Sequence, residues 1–88
     1  MYETVKVIRL SDMDEVKDFV RAAGGCDFDI DVYYNRVVID AKSILGVLSL
    51  DLTRVLTVEF SGDNEAFEEF LNEKNENFEN VVAKFAVA

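Results

Sequence analysis

The chain has 88 residues, half of them hydrophobic, and these proportions suit a single domain with a sizeable core. Its 18 acidic residues against 9 basic ones give a net charge of −9, and no apolar run approaches the ~20 residues of a spanning helix, so we expect neither nucleic acid nor a membrane as partner. The sequence has no His, which excludes imidazole bases, His metal ligands and phosphohistidine chemistry, and its one Cys is typical of a reducing cytoplasm.

The first predicted element is a strand over residues 2–10. Val5 and Val7 share one face of this segment, and Thr4 and Lys6 share the other. This alternation indicates a half-buried strand whose apolar face carries the two valines.

A helix is predicted directly after this strand. Ser11 is the expected N-cap, and Asp12 and Asp14 place carboxylates in the first turn, where the helix dipole favours them. One of the two glycines Gly24 and Gly25 is expected to end the helix in a left-handed conformation. The apolar residues between these ends recur at helical spacing: Met13, Val16, Phe19, Val20 and Ala23.

The clearest strand pattern covers residues 26–33 and leads into a hairpin. A row of carboxylates at spacing two lacks the loop geometry of a calcium site, so we interpret it as a solvated strand face rather than a cation site. Asn35 tolerates a left-handed backbone and predicts a turn, after which residues 37–39 return as the partner strand. Apolar and acidic positions alternate along the first strand: Phe28, Ile30 and Val32 against Asp27, Asp29 and Asp31.

A short second helix is predicted within residues 40–52. Ser43 is placed to be its N-cap. Gly46 inside this helix costs ~1 kcal/mol relative to Ala, so we expect a close packing contact to require it. The apolar residues at helical offsets are Ile44, Val47, Leu48 and Leu52.

The C-terminal part is predicted as a fourth strand over residues 55–60 and a third helix. Asp63 or Asn64 caps this helix, which carries Phe67, Phe70 and Leu71. After a polar stretch the helical apolar spacing resumes, which favours one continuous helix from about residue 64 to residue 85 over a break near Asn75.

The apolar residues after the polar stretch form one stripe at offsets of 3, 4 and 7: Phe78, Val81, Val82 and Phe85. We expect this stripe to be buried on its own domain or in a homodimer, because soluble monomers rarely expose such a patch. Residues 1–74 are expected to form the domain and residues 75–88 a helical extension of it.

Two segments, residues 27–35 and 40–50, resemble the HPr phosphocarrier family. The second is specific: it runs Lys42-Ser43-Ile44-Leu45-Gly46-Val47-Leu48-Ser49-Leu50 and matches every fixed position of the family's regulatory-serine helix, Lys-Ser-Ile-x-Gly-x-x-Ser-Leu. The resemblance covers residues 4–71. It implies an α+β open-faced β-sandwich with the order βαββαβα, in which a four-stranded antiparallel sheet carries three helices on one face.

The chain departs from this family at the phosphoryl acceptor. The resemblance implies a His at the start of the first helix and an Arg two residues later. That position falls at Asp14 counted from the first strand and at Asp12 counted from the helix end, and neither count finds His or Arg. Carboxylates there would repel a phosphoryl group. We therefore expect a non-catalytic regulatory or binding protein related to the bacterial phosphotransferase system, without a cofactor or a metal site.

The resemblance also implies a working surface on the second helix. Ser43 corresponds to the serine that a dedicated kinase phosphorylates in the control of carbon use, and its alternative is a plain N-cap. The expected partner is a protein such as that kinase or a transcriptional regulator. The residues expected to surround Ser43 on this surface are Lys42, Ile44, Leu45 and Leu48, for which core packing is the alternative.

Two other functions stay open at this point. A scaffold or oligomerisation module would use the apolar stripe of residues 78–85. An unorthodox phosphocarrier would use Asp12 or Asp14 as its acceptor, although carboxylates at a helix start are far more often dipole partners. Cys26 has no basic sequence neighbour that would lower its pKa, so a structural role is expected for it.

Overall fold

The computed structural model describes residues 4–75, which form seven elements in the order βαββαβα. The order and the architecture confirm the predicted α+β open-faced β-sandwich, with three helices on one face of a four-stranded antiparallel sheet. The elements are β1 (Thr4–Ile8), α1 (Met13–Gly24), β2 (Ile30–Tyr34), β3 (Val37–Asp40), α2 (Ile44–Leu48), β4 (Leu56–Phe60) and α3 (Glu65–Glu73).

The sheet has the strand order β1-β4-β2-β3, so β1 and β3 are its edges. In the central strand β4, Val58 pairs with Lys6 of β1 and with Val32 of β2. Residues paired in this way share a face, because side chains alternate between the two sides along each strand. The side that β4 buries, through Leu56, Val58 and Phe60, is covered by the helices. We call the opposite side the open face.

The core lies between the sheet and the helices and contains an aromatic cluster. Phe67 of α3 lies with its ring centroid 6.2 Å from that of Phe19 in α1 and 5.3 Å from that of Phe60 in β4. All three side chains are almost completely buried. Such aromatic pairs contribute about 0.5–1.5 kcal/mol each beyond the burial of their area. The cluster therefore holds α1 and α3 against the sheet.

The faces of β1 are the reverse of those that its alternation indicates. Ile8 is fully buried, and Lys6 and Thr4 share its side of the strand. Val5 is instead 53% exposed on the open face, together with Val7. The interpretation of the valines as the buried face is wrong, because Ile8 packs in the core and sets the parity of the whole strand.

Both ends of α1 differ from the prediction. The N-cap is Asp12 rather than Ser11, since the Asp12 side chain accepts the N–H of Glu15. At the other end Gly24 is the last helical residue and Gly25 has a φ of −79°, so neither glycine is left-handed. The Gly25 N–H still donates to two carbonyls of the last turn, which keeps the backbone right-handed.

The third helix ends at Glu73, so the prediction of one continuous helix to residue 85 is wrong. The reason is tertiary. The carbonyl of Lys74 accepts the backbone N–H of Arg9, and Asn75 forms an antiparallel bridge with Ile8 at the outer edge of β1. The predicted apolar stripe of residues 78–85 lies outside the described residues.

Other local predictions are confirmed, except that one strand begins later than predicted. Asn35 has a φ of 52° in the turn between β2 and β3, as expected, and Asn64 caps α3 by accepting the N–H of Phe67. Strand β2 begins at Ile30 rather than at residue 26, because the Cys26 N–H is still bonded to the last turn of α1.

Two features of residues 4–75 bear on the classes of function. No helix in this range is long and apolar enough to cross a bilayer. No group of three or more Cys, Asp or Glu side chains in the same range is arranged to hold a metal ion.

Candidate functional site

The start of α2 presents Ser43 to solvent. Ser43 has an extended backbone with φ −101° and ψ 108°, and its Oγ accepts the N–H of Gly46 at 3.1 Å. The predicted N-cap is therefore confirmed. The first turn of α2 contains no acidic residue, and the carboxylate that precedes it in the chain, that of Asp40, accepts the N–H of Lys42.

Gly46 lets α2 approach strand β3 closely, as its unfavourable helix propensity suggests. A Cβ on Gly46 would lie 2.6 Å from Cγ2 of Ile39 and 3.1 Å from Oγ of Ser43. The Gly46 carbonyl in turn accepts the hydroxyl of Ser49 at 2.5 Å. Glycine is thus required at the one position where the helix meets both the sheet and its own cap.

The helix also exposes apolar side chains, which we call the α2 patch: Ile44, Leu45 and Leu48. Leu45 is 78% exposed and Ile44 37%, whereas Leu48 is half-buried against the core. Val47 is the fully buried residue of the helix. The inward position is therefore filled by Val47, and Leu45 extends into solvent without a core role.

Lys42 is engaged inside the domain rather than extended towards solvent. Its ammonium donates to the carbonyl of Cys26 at 2.9 Å, and its backbone N–H donates to Asp40 at 2.9 Å. The ammonium contact ties the segment before α2 to the residue that follows α1 and its C-cap. Burial raises the pKa of the Cys26 thiol, and the nearby charge of Lys42 only partly offsets this, so the thiol is not activated as a nucleophile.

The start of α1 is built differently, from carboxylates that are already hydrogen-bonded. Asp12 accepts the N–H of Glu15 at 2.9 Å, and Glu15 accepts the N–H of Ser11 at 2.6 Å. Asp14 is exposed in the same turn. The arrangement resembles a capping box, except that Glu15 accepts the N–H of Ser11 rather than that of the N-cap Asp12.

Glu15 connects this helix start to the far end of α3. Its second oxygen accepts the ammonium of Lys74 at 2.9 Å, and both side chains are about one quarter exposed, at 27% and 24%. The Ser11 N–H and then the Lys74 ammonium lower the pKa of Glu15, and the bond to Glu15 raises the pKa of Lys74. The carboxylate is thus held in its charged form by structural contacts.

The two helix starts belong to one layer, because α1 packs against α2. Each cap is local to its own helix: Asp12 binds Glu15, and Ser43 binds Gly46. The sequence interpretation missed Glu15 and Lys74. The spacing of Asp12 and Glu15 is that of a capping box and could have identified both the N-cap and its partner. The long-range contact with Lys74 has no such local signal.

Comparisons with known proteins agree with this geometry. The family described as "PTS HPr component phosphorylation site" matches residues 14–80. Asp12 precedes the matched range, whereas Ser43 and the α2 patch lie within it. No curated protein matches the chain in sequence.

Two solved structures are similar in fold. One is the crystal structure of HPr-C-His from Thermoanaerobacter tengcongensis, with 25% identity, a TM-score of 0.65, and coverage of 83% of this chain and 89% of that chain. The other is a phosphocarrier protein HPr from Bacillus anthracis str. Ames, with 22% identity, a TM-score of 0.66, and coverage of 85% and 100% respectively. The similarity therefore extends over nearly the whole length of both neighbours.

Proposed function

The chain belongs to the HPr family of the phosphotransferase system, and from that premise we propose that it is a protein-binding, regulatory member that carries no phosphoryl group and works in a bacterial cytoplasm. Proteins of this family are phosphocarriers rather than catalysts and interact with other proteins of the system. One observation carries the proposal: the helix start of α1 offers only engaged or acidic side chains, while α2 keeps an exposed serine beside exposed apolar residues.

The electrostatics of α1 oppose phosphoryl transfer at its N-terminus. The 88-residue sequence contains no His. Asp12 and Glu15 already accept backbone hydrogen bonds, and Asp14 adds a third carboxylate in the same turn. A phosphoryl donor carries negative charge, so the like charges of this turn repel it at close range.

The α2 patch supports binding to another protein. Leu45 is 78% exposed and stands next to Ile44, and exposed apolar groups on one surface mark interaction sites when they are contiguous. Hydrophobic contact is also the interaction least opposed by a net charge of −9. A protein partner is thus the class of partner that fits this surface.

Phosphorylation of Ser43 would regulate that surface. A phosphate on Oγ adds about −1.5 to −2 charges and three strong acceptors. The N–H of Gly46 that now reaches Ser43 is available to such an acceptor, and the first turn has no competing carboxylate. The added charge beside Leu45 would favour a partner that combines an apolar contact with Arg or Lys. A kinase acting on Ser43 and a transcriptional regulator that reads the phosphate are the proposed partners.

The absence of phosphoryl transfer is tested with enzyme I, phosphoenolpyruvate and labelled phosphate, using a His-containing HPr in the same reaction as positive control. We expect label on the control and none on this chain. Stoichiometric label on this chain would contradict the proposal, and its loss in Asp12→Asn or Asp14→Asn would identify an acyl phosphate. The single substitutions Asp12→His and Asp14→His are not expected to restore transfer, because the Arg two residues on is also missing.

Phosphorylation is tested by intact-mass measurement after incubation with ATP and an HPr serine kinase. We expect the mass of one phosphate on the chain, lost in Ser43→Ala and kept in Ser49→Ala. Ser49 is the matched control, since it is exposed at the other end of the same helix. An unchanged mass for the parent chain would leave Ser43 with its capping role alone.

Binding through the α2 patch is tested with the same kinase immobilised as the probe. We expect Leu45→Ser to weaken binding at least tenfold, which corresponds to about 1.4 kcal/mol. Val37→Ser is the matched control, because Val37 is an apolar residue of β3 with 43% exposure. Equal losses for the two variants would argue against a specific role of the patch.

A further inference from the structure

The two edges of the sheet differ in what lies beside them. The outer side of β1 is engaged at one end, where Ile8 forms a bridge with Asn75 and the Arg9 N–H donates to the carbonyl of Lys74. Among the strands that residues 4–75 form, β3 pairs with β2 alone, so its outer side faces away from the sheet. Such an edge presents backbone donors and acceptors with which another strand can pair.

The hydrogen-bond pattern fixes which residue of β3 directs its backbone outwards. The Ala41 N–H donates to the carbonyl of Ile30, and hydrogen-bonded positions alternate along an antiparallel pair. Val37 and Ile39 therefore bond to β2, whereas Val38 directs both its N–H and its C=O to the outer side. An added strand would exchange a pair of backbone hydrogen bonds with β3 at Val38.

The side chains along this edge are apolar on both sides of the sheet. Val38 is 57% exposed on the open face, and Val37 is 43% exposed on the side of the helices. Ile39 follows on the helix side and is half-buried. Neither valine packs against the core. Consecutive exposed valines on an edge strand favour pairing with another strand, because β-branched side chains pack well across paired strands.

Two opposite charges flank Val38 at equal distances along the chain. Arg36 precedes it by two residues and Asp40 follows it by two, and both are exposed. In an antiparallel pair of identical strands centred on Val38, each Arg36 lies opposite the Asp40 of the second copy, on the same face as Val38. Opposite charges at such positions stabilise the pair, and like charges destabilise it. The two-fold symmetry makes this contact twice.

We propose that the chain forms a two-fold dimer by antiparallel pairing of β3 with β3 of a second copy. Val38 lies on the axis and pairs with its own counterpart. Val37 then lies opposite Ile39 of the second copy on the helix side, and the sheet continues through eight strands with the helices of both copies on one side. The charges select this occupant, since a partner strand has to place an acidic residue opposite Arg36 and a basic one opposite Asp40. The chain's own β3 does both.

The net charge of −9 sets the conditions under which this dimer forms. Two chains of like charge repel each other at long range, but at ~0.15 M salt this repulsion is screened beyond about 8 Å. The contact between Arg36 and Asp40 acts at a shorter distance and is screened less. A four-residue strand buries little area, so the dimer is weak and reversible.

Sedimentation equilibrium of the full chain at physiological salt tests the association up to about 1 mM, where weak complexes form. We expect the mean mass to rise reversibly from that of one chain towards that of two. Arg36→Asp and Asp40→Arg should each raise the dissociation constant at least tenfold, because each places like charges opposite one another twice. Arg21→Asp is the control, since it makes the same change of net charge at an exposed position of α1. A parent chain that stays monomeric at this concentration would overturn the proposal.

An equimolar mixture of Arg36→Asp and Asp40→Arg tests the register. Their heterodimer again places opposite charges at both contacts, so the mixture should regain the association that each variant alone has lost. A mixture no more associated than its components would overturn the proposed register. Because Asp40 also accepts the N–H of Lys42, the amide spectrum of each variant is compared with that of the parent to confirm the fold.

An isotope-filtered NOE experiment locates the interface in the parent chain without any substitution. Labelled and unlabelled chains are mixed, so that only contacts between two copies give a signal. We expect a contact between the Hα of Val37 and the Hα of Ile39, because facing residues at a non-hydrogen-bonded pair lie with their Cα atoms ~4.5 Å apart. Intermolecular contacts confined to β1 or to the α2 patch would overturn the proposal.

Discussion

The starts of α1 and α2 use the same capping geometry with opposite chemistry. In each, a side-chain oxygen accepts the N–H three residues on: Asp12 from Glu15 at 2.9 Å, and Ser43 from Gly46 at 3.1 Å. At α1 the cap is a carboxylate followed by two more in the first turn. At α2 the cap is a neutral hydroxyl followed by exposed apolar residues.

This difference supports the proposal that the local charge, and not the helix terminus alone, decides which start accepts a phosphoryl group. Backbone donors and the helix dipole favour an anion at both ends. At α1 that preference is already met by Asp12 and Glu15, and Lys74 holds the latter in place. At α2 the cap is the hydroxyl of Ser43, and a carboxylate before it, that of Asp40, accepts the N–H of Lys42. A further anion would therefore be repelled at the first start and stabilised at the second.

The largest expected effect concerns the glycines of the two helices. Gly46→Ala brings a methyl group to 2.6 Å from Cγ2 of Ile39, and overpacking costs about 1–3 kcal/mol, more than the ~1 kcal/mol that Ala gains in helix propensity. Gly24→Ala in α1 meets no atom within 4 Å and should stabilise by about 0.5–1 kcal/mol. Urea unfolding of both variants measures the difference.

A double-mutant cycle sharpens this result. In an Ile39→Ala background the contacting atom is absent, so Gly46→Ala should cost less than it does in the parent chain. An equal cost in both backgrounds would show that α2 does not require the close approach to β3, and the contrast with Gly24 would then have another origin.

The next effect concerns the two caps. Ser43→Ala and Asp12→Ala should each lower the free energy of unfolding by about 0.5–2 kcal/mol, because each leaves a backbone N–H of the first turn without its acceptor. Ser43→Asp should retain most of the stability, since a carboxylate caps as well and suits the dipole. Thermal unfolding at neutral pH is the measurement. A Ser43→Ala variant as stable as the parent would contradict the capping role of Ser43. The two helices would then differ in whether their N-cap side chain contributes to stability.

The smallest effect concerns the charge on Glu15. Its lowered pKa means that the folded state binds the proton less tightly than the unfolded chain. This contribution to stability is therefore present above about pH 4.3, the ordinary carboxyl pKa, and is lost as the pH falls through the folded pKa. Glu15→Gln should lose about 0.2–1 kcal/mol at neutral pH.

The control for this prediction is Glu69→Gln, which removes an exposed carboxylate of α3. The acid limb of the stability curve should flatten in Glu15→Gln and keep its slope in Glu69→Gln. Lys74 adds a basic limb to the stability curve, because its pKa is raised in the folded state. The resulting contribution to stability is fully present below the ordinary lysine pKa and is lost as the pH rises through the folded pKa. Identical curves for parent and Glu15→Gln would exclude the ion pair from the stability of α1.

Most of the fold and the whole α2 segment could be predicted from sequence, because their signals are local. The hairpin at Asn35, the cap at Ser43 and the close contact at Gly46 each follow from a residue type whose backbone preference is specific. The α2 motif contains six fixed residues within nine positions, which made the resemblance specific. The exposure of Leu45 does not follow from the sequence, since apolar periodicity alone cannot distinguish a core side chain from a docking one.

The sequence by itself determined the element order, the α+β class and the absence of an imidazole acceptor. The tertiary structure decided which face of β1 is buried, where α3 ends, and that Lys74 holds Glu15. The physical reason is the sequence separation of the residues in contact. Capping, turn formation and periodicity depend on residues within about four positions of one another. The pairing of Ile8 with Leu56 joins residues 48 positions apart, and its bridge to Asn75 joins residues 67 positions apart; no local preference encodes such contacts.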